Sequence, residues 1–252
     1  MLKNKKVLLF DVDGTLIESV GVWNQVDQEL IRRLGGTPPE EHAVQLQRDA
    51  KLREFAGEAD AYIAYCRFLG RQCGSAMSPE DIHTLRYDIA QDFLIHKVDY
   101  KPRAEEALRL FKEHGFHMAI ATTTRRKNLE VYCTLNPNIR SKAPFPEYFD
   151  PIYSREDVRE IKPNPEVYLK VMHHFGVEPA ACLVFEDSLI GIEAAHRAGM
   201  EAVAMYDPYS DGEREDINRL AAYTFADYGG SPPGTGRLTR PLCTARIGSY
   251  TL

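Results

Sequence analysis

No two cysteines in this chain are spaced as Cys-x-x-Cys, and the five present (Cys66, Cys73, Cys133, Cys182, Cys243) are scattered and odd in number. That speaks against a disulfide framework or a cysteine-built zinc site and for reduced thiols in a cytoplasmic compartment. Also missing is any dense block of lysine and arginine: 31 basic residues stand against 37 acidic ones, a net charge of −6. A nucleic-acid binder needs a basic footprint that releases phosphate counterions, so that class of partner falls away. No apolar run is long enough to span a bilayer. The run that follows Lys3, Lys5 and Lys6 stops at Asp11, too short for the core of a secretory signal. What is present is an ordinary globular composition, 44% hydrophobic, enough for a sizeable core. The expectation is a cytoplasmic monomer with neither a membrane nor a nucleic acid as partner.

The chain opens on a strand-like run, Val7-Leu8-Leu9-Phe10. From Val22 to Leu34, Trp23, Val26, Leu30, Ile31 and Leu34 recur at helical spacing and stop at Gly35-Gly36. Glu40 to His96 continues in that style without a convincing strand, and Ser78-Pro79-Glu80-Asp81 makes a good helix start. From Lys101 the pattern alternates. Pro102 opens a helix with Ala104, Ala107, Leu108 and Phe111 on one face; "FHMAIA" reads as a strand, Pro165–Phe175 as a helix, "CLVFE" as a strand, "LIGIEAAHRAG" as a helix and "EAVAMY" as a strand. Short apolar strands alternating with capped amphipathic helices imply an α/β fold: a doubly wound, Rossmann-like parallel sheet covered on both faces. The expected organisation is a core of residues 1–17 and 98–228, an all-helical cap of residues 18–97 over the sheet's carboxyl edge, and a flexible Gly- and Pro-rich tail at 229–252.

Four short stretches raise chemical questions. Asp11 and Asp13 follow the first apolar run, and residues two apart on a strand share a direction. Both therefore reach the crevice at the carboxyl end of the sheet, where open α/β folds bind ligands. Two carboxylates that close repel each other, so they are either solvated turn residues or the anionic half of a metal and phosphate site. A calcium loop is excluded, because its register places Leu9 and Val20 where oxygen ligands belong. "AIATTT" sets Thr122, Thr123 and Thr124 at a strand end, where threonines are commonly caps or turn formers. In "IKPNPE", Pro163 holds Lys162 extended, Asn164 is a candidate N-cap and Pro165 occupies the first helical position. "LVFEDSLIG" ends a strand in Glu186 and Asp187, with Ser188 as the next cap.

Taken in this order, the four stretches resemble the motifs of the haloacid dehalogenase superfamily, over nearly the whole chain to about Tyr228. The segment from Ser154 to Met205 is similar to the branch containing β-phosphoglucomutase and its phosphatase relatives, which carries a helical cap after the first motif. The resemblance implies Asp11 as nucleophile, Asp13 as general acid/base, Thr122 as a phosphate-binding hydroxyl and Lys162 as the motif lysine. It also implies Mg²⁺ as cofactor, held by Asp11, Asp187, the backbone carbonyl of Asp13 and Glu186, an all-oxygen set suited to that ion. Candidate substrate contacts are Trp23, Thr123, Thr124 and Arg125; Arg125, with Arg126 and Lys127, either holds a second anionic group or forms a solvated helix start.

The activity so implied is hydrolysis of a small phosphorylated metabolite through an aspartyl-phosphate. A sugar-phosphate mutase is the alternative on the same fold. Trp23 stands at about the place where the mutases carry a histidine, and no clamping-arginine motif is evident between Glu40 and Arg71. A catalytically dead binding module is the third reading, but it would have lost the nucleophile, the lysine or a metal carboxylate, and none is missing. The substrate itself is not written in these motifs.

Overall fold

A computed structural model of the chain describes residues 1–55 and 57–229. Apart from Gly229, the tail expected at 229–252 lies outside the described residues. The chain divides into two compact units, Ser19–Val98 and the remainder, Met1–Glu18 with the chain from Asp99 on. Among the described residues no helix is long and apolar enough to cross a membrane.

The first unit is helical: α1 (Val22–Arg33), α2 (Glu41–Glu54), α3 (Ala61–Cys73) and α4 (Pro79–His96). Ser78 caps α4 by accepting a hydrogen bond from the Asp81 N–H at 3.0 Å. Asp27 of α1 is wholly buried and paired with Arg86 of α4 (2.6 Å) and Arg48 of α2 (3.0 Å), which ties three helices through one carboxylate. Removing that carboxylate would leave the buried Arg86 guanidinium without its counter-ion and Arg48 with Asp49 at 3.7 Å.

In the other unit follow β1 (Val7–Phe10), α5 (Ala104–Glu113), β2 (His117–Ala121), α6 (Arg126–Thr134), α7 (Pro137–Lys142), α8 (Phe145–Tyr148) and β3 (Ile152–Tyr153). The chain continues with α9 (Glu166–Phe175), β4 (Cys182–Glu186), α10 (Leu189–Arg197), β5 (Glu201–Met205), α11 (Arg214–Leu220) and β6 (Tyr223–Phe225). The strands form one parallel sheet in the order β3-β2-β1-β4-β5-β6.

Strands β1 and β4 are buried on both faces, which is why they read as unbroken apolar runs. On one face Val7, Leu9, Ala119, Ala121, Val184 and Ala202 pack against Val167 and Val171 of α9, Ile192 of α10 and Ile217 of α11. The small alanines let those helices lie close to the sheet. On the other face Phe10 stacks on Phe185 at 4.6 Å between ring centroids and meets Phe149 edge-on at 5.6 Å. Each such ring contributes roughly 1.5–3 kcal/mol by leaving water.

Two helix starts differ from the sequence expectation. α5 begins at Ala104, not Pro102, because Arg103 adopts a left-handed φ of 65°. The residues before it are tied elsewhere: the Lys101 N–H donates to the Leu16 carbonyl (2.9 Å) and its ammonium to Asp207 (2.9 Å). α9 begins at Glu166, not Pro165; the Asn164 side chain still accepts from the Glu166 N–H at 3.0 Å.

Candidate active site

The order of the strands reverses at β1, since β2 lies on one side of it and β4 on the other. That arrangement opens a crevice beyond the carboxyl ends of these strands. Phe10 is in register with Ile120 and Phe185, so Asp11 stands level with Ala121 and Glu186. The Asp11 N–H donates to the Phe185 carbonyl at 3.0 Å, carrying the ladder one residue past β1. The chain then turns sharply. Gly14 takes φ 82°, which a side chain would strain, while the N–H groups of Leu16 and Ile17 both donate to the Val12 carbonyl (2.9 and 3.1 Å). The turn delivers Thr15, whose hydroxyl donates to Asp187 Oδ1 at 2.8 Å.

Asp11, Glu186 and Asp187 gather as three buried carboxylates, each offering an oxygen within 4.8 Å of the others. Lys162 lies buried between two of them, its Nζ 2.6 Å from Asp11 Oδ1 and 2.6 Å from Glu186 Oε1. Glu186 accepts from five donors in all: Lys162 and the Tyr168 hydroxyl (2.9 Å) on Oε1, and the Asp187 N–H, the Ser188 N–H and the Ser188 hydroxyl on Oε2. It anchors the lysine and the turn that carries Asp187.

Charge in this cluster is out of balance. Burial pushes the Asp11 carboxyl up to about 7 against the pull of Lys162, and the charges of Glu186 and Asp13 add to the rise. Asp187 is held well above the usual carboxylate range by burial and by the charges of Glu186 and Asp11, with the Thr15 hydroxyl opposing. Burial acts to lower the Lys162 ammonium, but Asp11 and Glu186 outweigh it and hold it well above the ordinary lysine value. Ionising all three carboxylates against one ammonium would leave a deficit of positive charge, which adds to burial in holding protons on Asp11 and Asp187. An all-oxygen donor set with that deficit fits a hard divalent cation.

The Asp13 carboxylate stands apart from that cluster. Its Oδ2 accepts from the Thr124 hydroxyl and its Oδ1 from the Tyr132 hydroxyl at 3.2 Å. Thr122, buried at the end of β2, lies 3.0 Å from Thr124, hydroxyl to hydroxyl, and accepts from the Thr124 N–H at 3.2 Å. The ends of β1, β2 and β4 thus bring together Asp11, Asp13, Thr122, Thr124, Glu186 and Asp187, and the turn before α9 adds Lys162. The remaining candidates fare differently. Thr123 is half-buried, and Arg125 is an exposed residue at the N-cap of α6. Trp23 lies on α1 of the helical unit with its ring 5.0 Å from the Arg86 guanidinium.

Tyr132 and Tyr168 have no counterpart among the residues the sequence singles out. Each is an aromatic on the apolar face of a helix, and nothing in that pattern distinguishes a hydroxyl aimed at a carboxylate from a core ring. Thr15 is more accessible to reasoning, since it follows Asp-x-Asp-Gly directly.

Comparison with known proteins bears on this geometry. The profile of the haloacid dehalogenase-like hydrolases matches residues 8–205. Protein CbbY of Rhodobacter capsulatus is 32% identical over 231 residues, covering 82% of this chain and 88% of that protein. Hexitol phosphatase B of Escherichia coli (strain K12) is 26% identical over 206 residues, 81% of this chain and 85% of its own length. A hydrolase of the same family from Deinococcus radiodurans R1, solved with bound phosphate and sodium, superposes with a TM-score of 0.63 and 25% identity, over 88% of this chain and 91% of that one.

Proposed function

The chain belongs to the haloacid dehalogenase-like hydrolase family, and on that premise we propose that it is a Mg²⁺-dependent phosphatase of small phosphorylated metabolites working through an aspartyl-phosphate. The observation that carries the reading is the buried Lys162 bridging Asp11 and Glu186 beside Asp187, a cluster short of positive charge at the carboxyl ends of β1 and β4. The phosphatase named among the relatives and the phosphate bound by the Deinococcus hydrolase support it.

Asp11, Asp187 and the backbone carbonyl of Asp13 are the residues assigned to hold the ion, with Glu186 adding its charge. When bound, Mg²⁺ neutralises clustered carboxylate and phosphate charge, so that two anions can meet. The Asp11 carboxylate attacks phosphorus: an acyl-phosphate bond forms between an Asp11 oxygen and phosphorus as the bond from phosphorus to the substrate oxygen breaks. Asp13 donates a proton to that departing oxygen, which leaves as an alcohol. Asp13 then accepts a proton from the water that attacks phosphorus, freeing inorganic phosphate and restoring Asp11. Lys162 and the Thr122 hydroxyl balance charge on the phosphoryl oxygens through both steps.

The test is phosphate release from a panel of phosphorylated sugars, nucleotides and small acids, with Mg²⁺ and after exhaustive chelation. Mg²⁺-dependent release from a subset of the panel is the expected result. Undiminished release after chelation contradicts the metal assignment, and no release from any ester contradicts the activity.

A further inference from the structure

Asp13 sits half-buried on the turn just before Gly14, and its carboxylate is gripped at both oxygens from outside that turn. One donor is Thr124, at the end of β2. The other is Tyr132 on α6, a fully buried residue whose ring packs edge-on against Phe145 at 6.4 Å between centroids. Phenylalanine would fill the same apolar space. The hydroxyl is what a tyrosine adds here, and it donates to Asp13 Oδ1 at 3.2 Å.

We propose that Tyr132 and Thr124 form a two-point clamp that fixes the orientation of the Asp13 carboxylate for proton delivery to the leaving group, an assignment that rests on the acid–base role given to Asp13 above. A half-buried carboxylate still has two rotatable bonds, and proton transfer succeeds only from within hydrogen-bond reach of the departing oxygen. Two donors anchored on different elements remove that freedom. The clamp also meets the phosphate side of the site. Thr124 gives its hydroxyl proton to Asp13, so the 3.0 Å contact between the hydroxyls is donated by Thr122. Tyr132 acts through Asp13 and is therefore a positioning residue.

A leaving-group series reads this role directly. For substituted phenyl phosphates, kcat/KM reports the steps through cleavage of the phosphorus–oxygen bond. A p-nitrophenolate departs with little need of a proton, whereas an unsubstituted phenolate needs one more. Tyr132→Phe and Thr124→Val are each expected to lose about tenfold more kcat/KM on phenyl phosphate than on p-nitrophenyl phosphate, a fraction of what general acid catalysis supplies. Asp13→Asn serves as the separate arm and should steepen the series further. If Asp13→Asn steepens it and neither clamp variant does, or if the clamp variants lose equally across all esters, the clamp is overturned while the acid assignment stands. If Asp13→Asn leaves the slope unchanged, the acid assignment fails and the clamp falls with it. Circular dichroism establishes folding of each variant, and Thr124→Val carries the test should Tyr132→Phe not fold.

Discussion

At Asp11 two requirements conflict. The proposed attack on phosphorus requires it to be anionic, yet it is only 7% exposed, beside two other buried carboxylates. Lys162 answers part of the conflict, and the rest falls to the proposed cation. The consequence is a pH dependence whose sign can be worked out. With an ordinary value of 3.8 raised to about 7, folded Asp11 keeps its proton over a range in which the unfolded chain has released it. That difference stabilises the metal-free fold at the acidic end and is lost progressively as pH rises from about 4 to about 7. A cation competes with the same proton. The increase in Tm on adding Mg²⁺ should therefore be larger at pH 8 than at pH 5.5, as differential scanning fluorimetry would register. An increase that is equal at both values, or larger at pH 5.5, contradicts this account. Asp11, Asp13, Glu186 and Asp187 are legible in the sequence because charged residues at the ends of apolar runs need an explanation, and Lys162 because Pro163 and Pro165 fix it just outside a helix start. Tyr132 and Tyr168 are not, because a tyrosine on the apolar face of a helix reads as a core ring, whether its carboxylate lies 119 residues away, as Asp13 does, or 18, as Glu186 does.

Among the elements, the junction of β4 and α10 leaves no room for a side chain at Gly191. A side-chain carbon on Gly191 would lie 1.9 Å from the Glu186 carboxyl. That carboxyl cannot swing aside without giving up its contacts with Lys162, Tyr168, Ser188 and the following N–H groups. Gly191 is also where α10 is capped, its N–H donating to the Ser188 hydroxyl at 3.3 Å. Gly191→Ala should cost about 1–3 kcal/mol in urea unfolding and lower phosphatase kcat, since displacing Glu186 frees Lys162. Unchanged stability and rate would mean that Glu186 is not held as described. The main strands and their helices are legible from apolar runs and caps, Ser78 and Ser188 among them. β3, two residues long, and β6, three, are too short to show periodicity and exist because a neighbouring strand offers a ladder. The start of α5 is obscure for another reason, since the pairing of Lys101 with Asp207 spans 106 residues.

On the scale of the molecule, the fold converts sequence distance into contact: Lys162 reaches Asp11 across 151 residues and Thr15 reaches Asp187 across 172. The parallel sheet makes this possible by setting the carboxyl ends of β1, β2 and β4 side by side. Everything proposed for the site converges on one side chain, and its replacement separates chemistry from architecture. Asp11→Asn keeps the shape and removes one charge from an overcrowded acidic cluster, so the variant should fold with a Tm no lower than that of the parent. The decisive measurement is the rate of phosphate release from p-nitrophenyl phosphate in saturating Mg²⁺ by the parent chain and by Asp11→Asn. The account predicts Mg²⁺-dependent turnover by the parent and a loss of at least about a thousandfold in the folded variant. A folded Asp11→Asn protein that keeps more than about a tenth of the parent rate, far above what loss of a nucleophile allows, would contradict it.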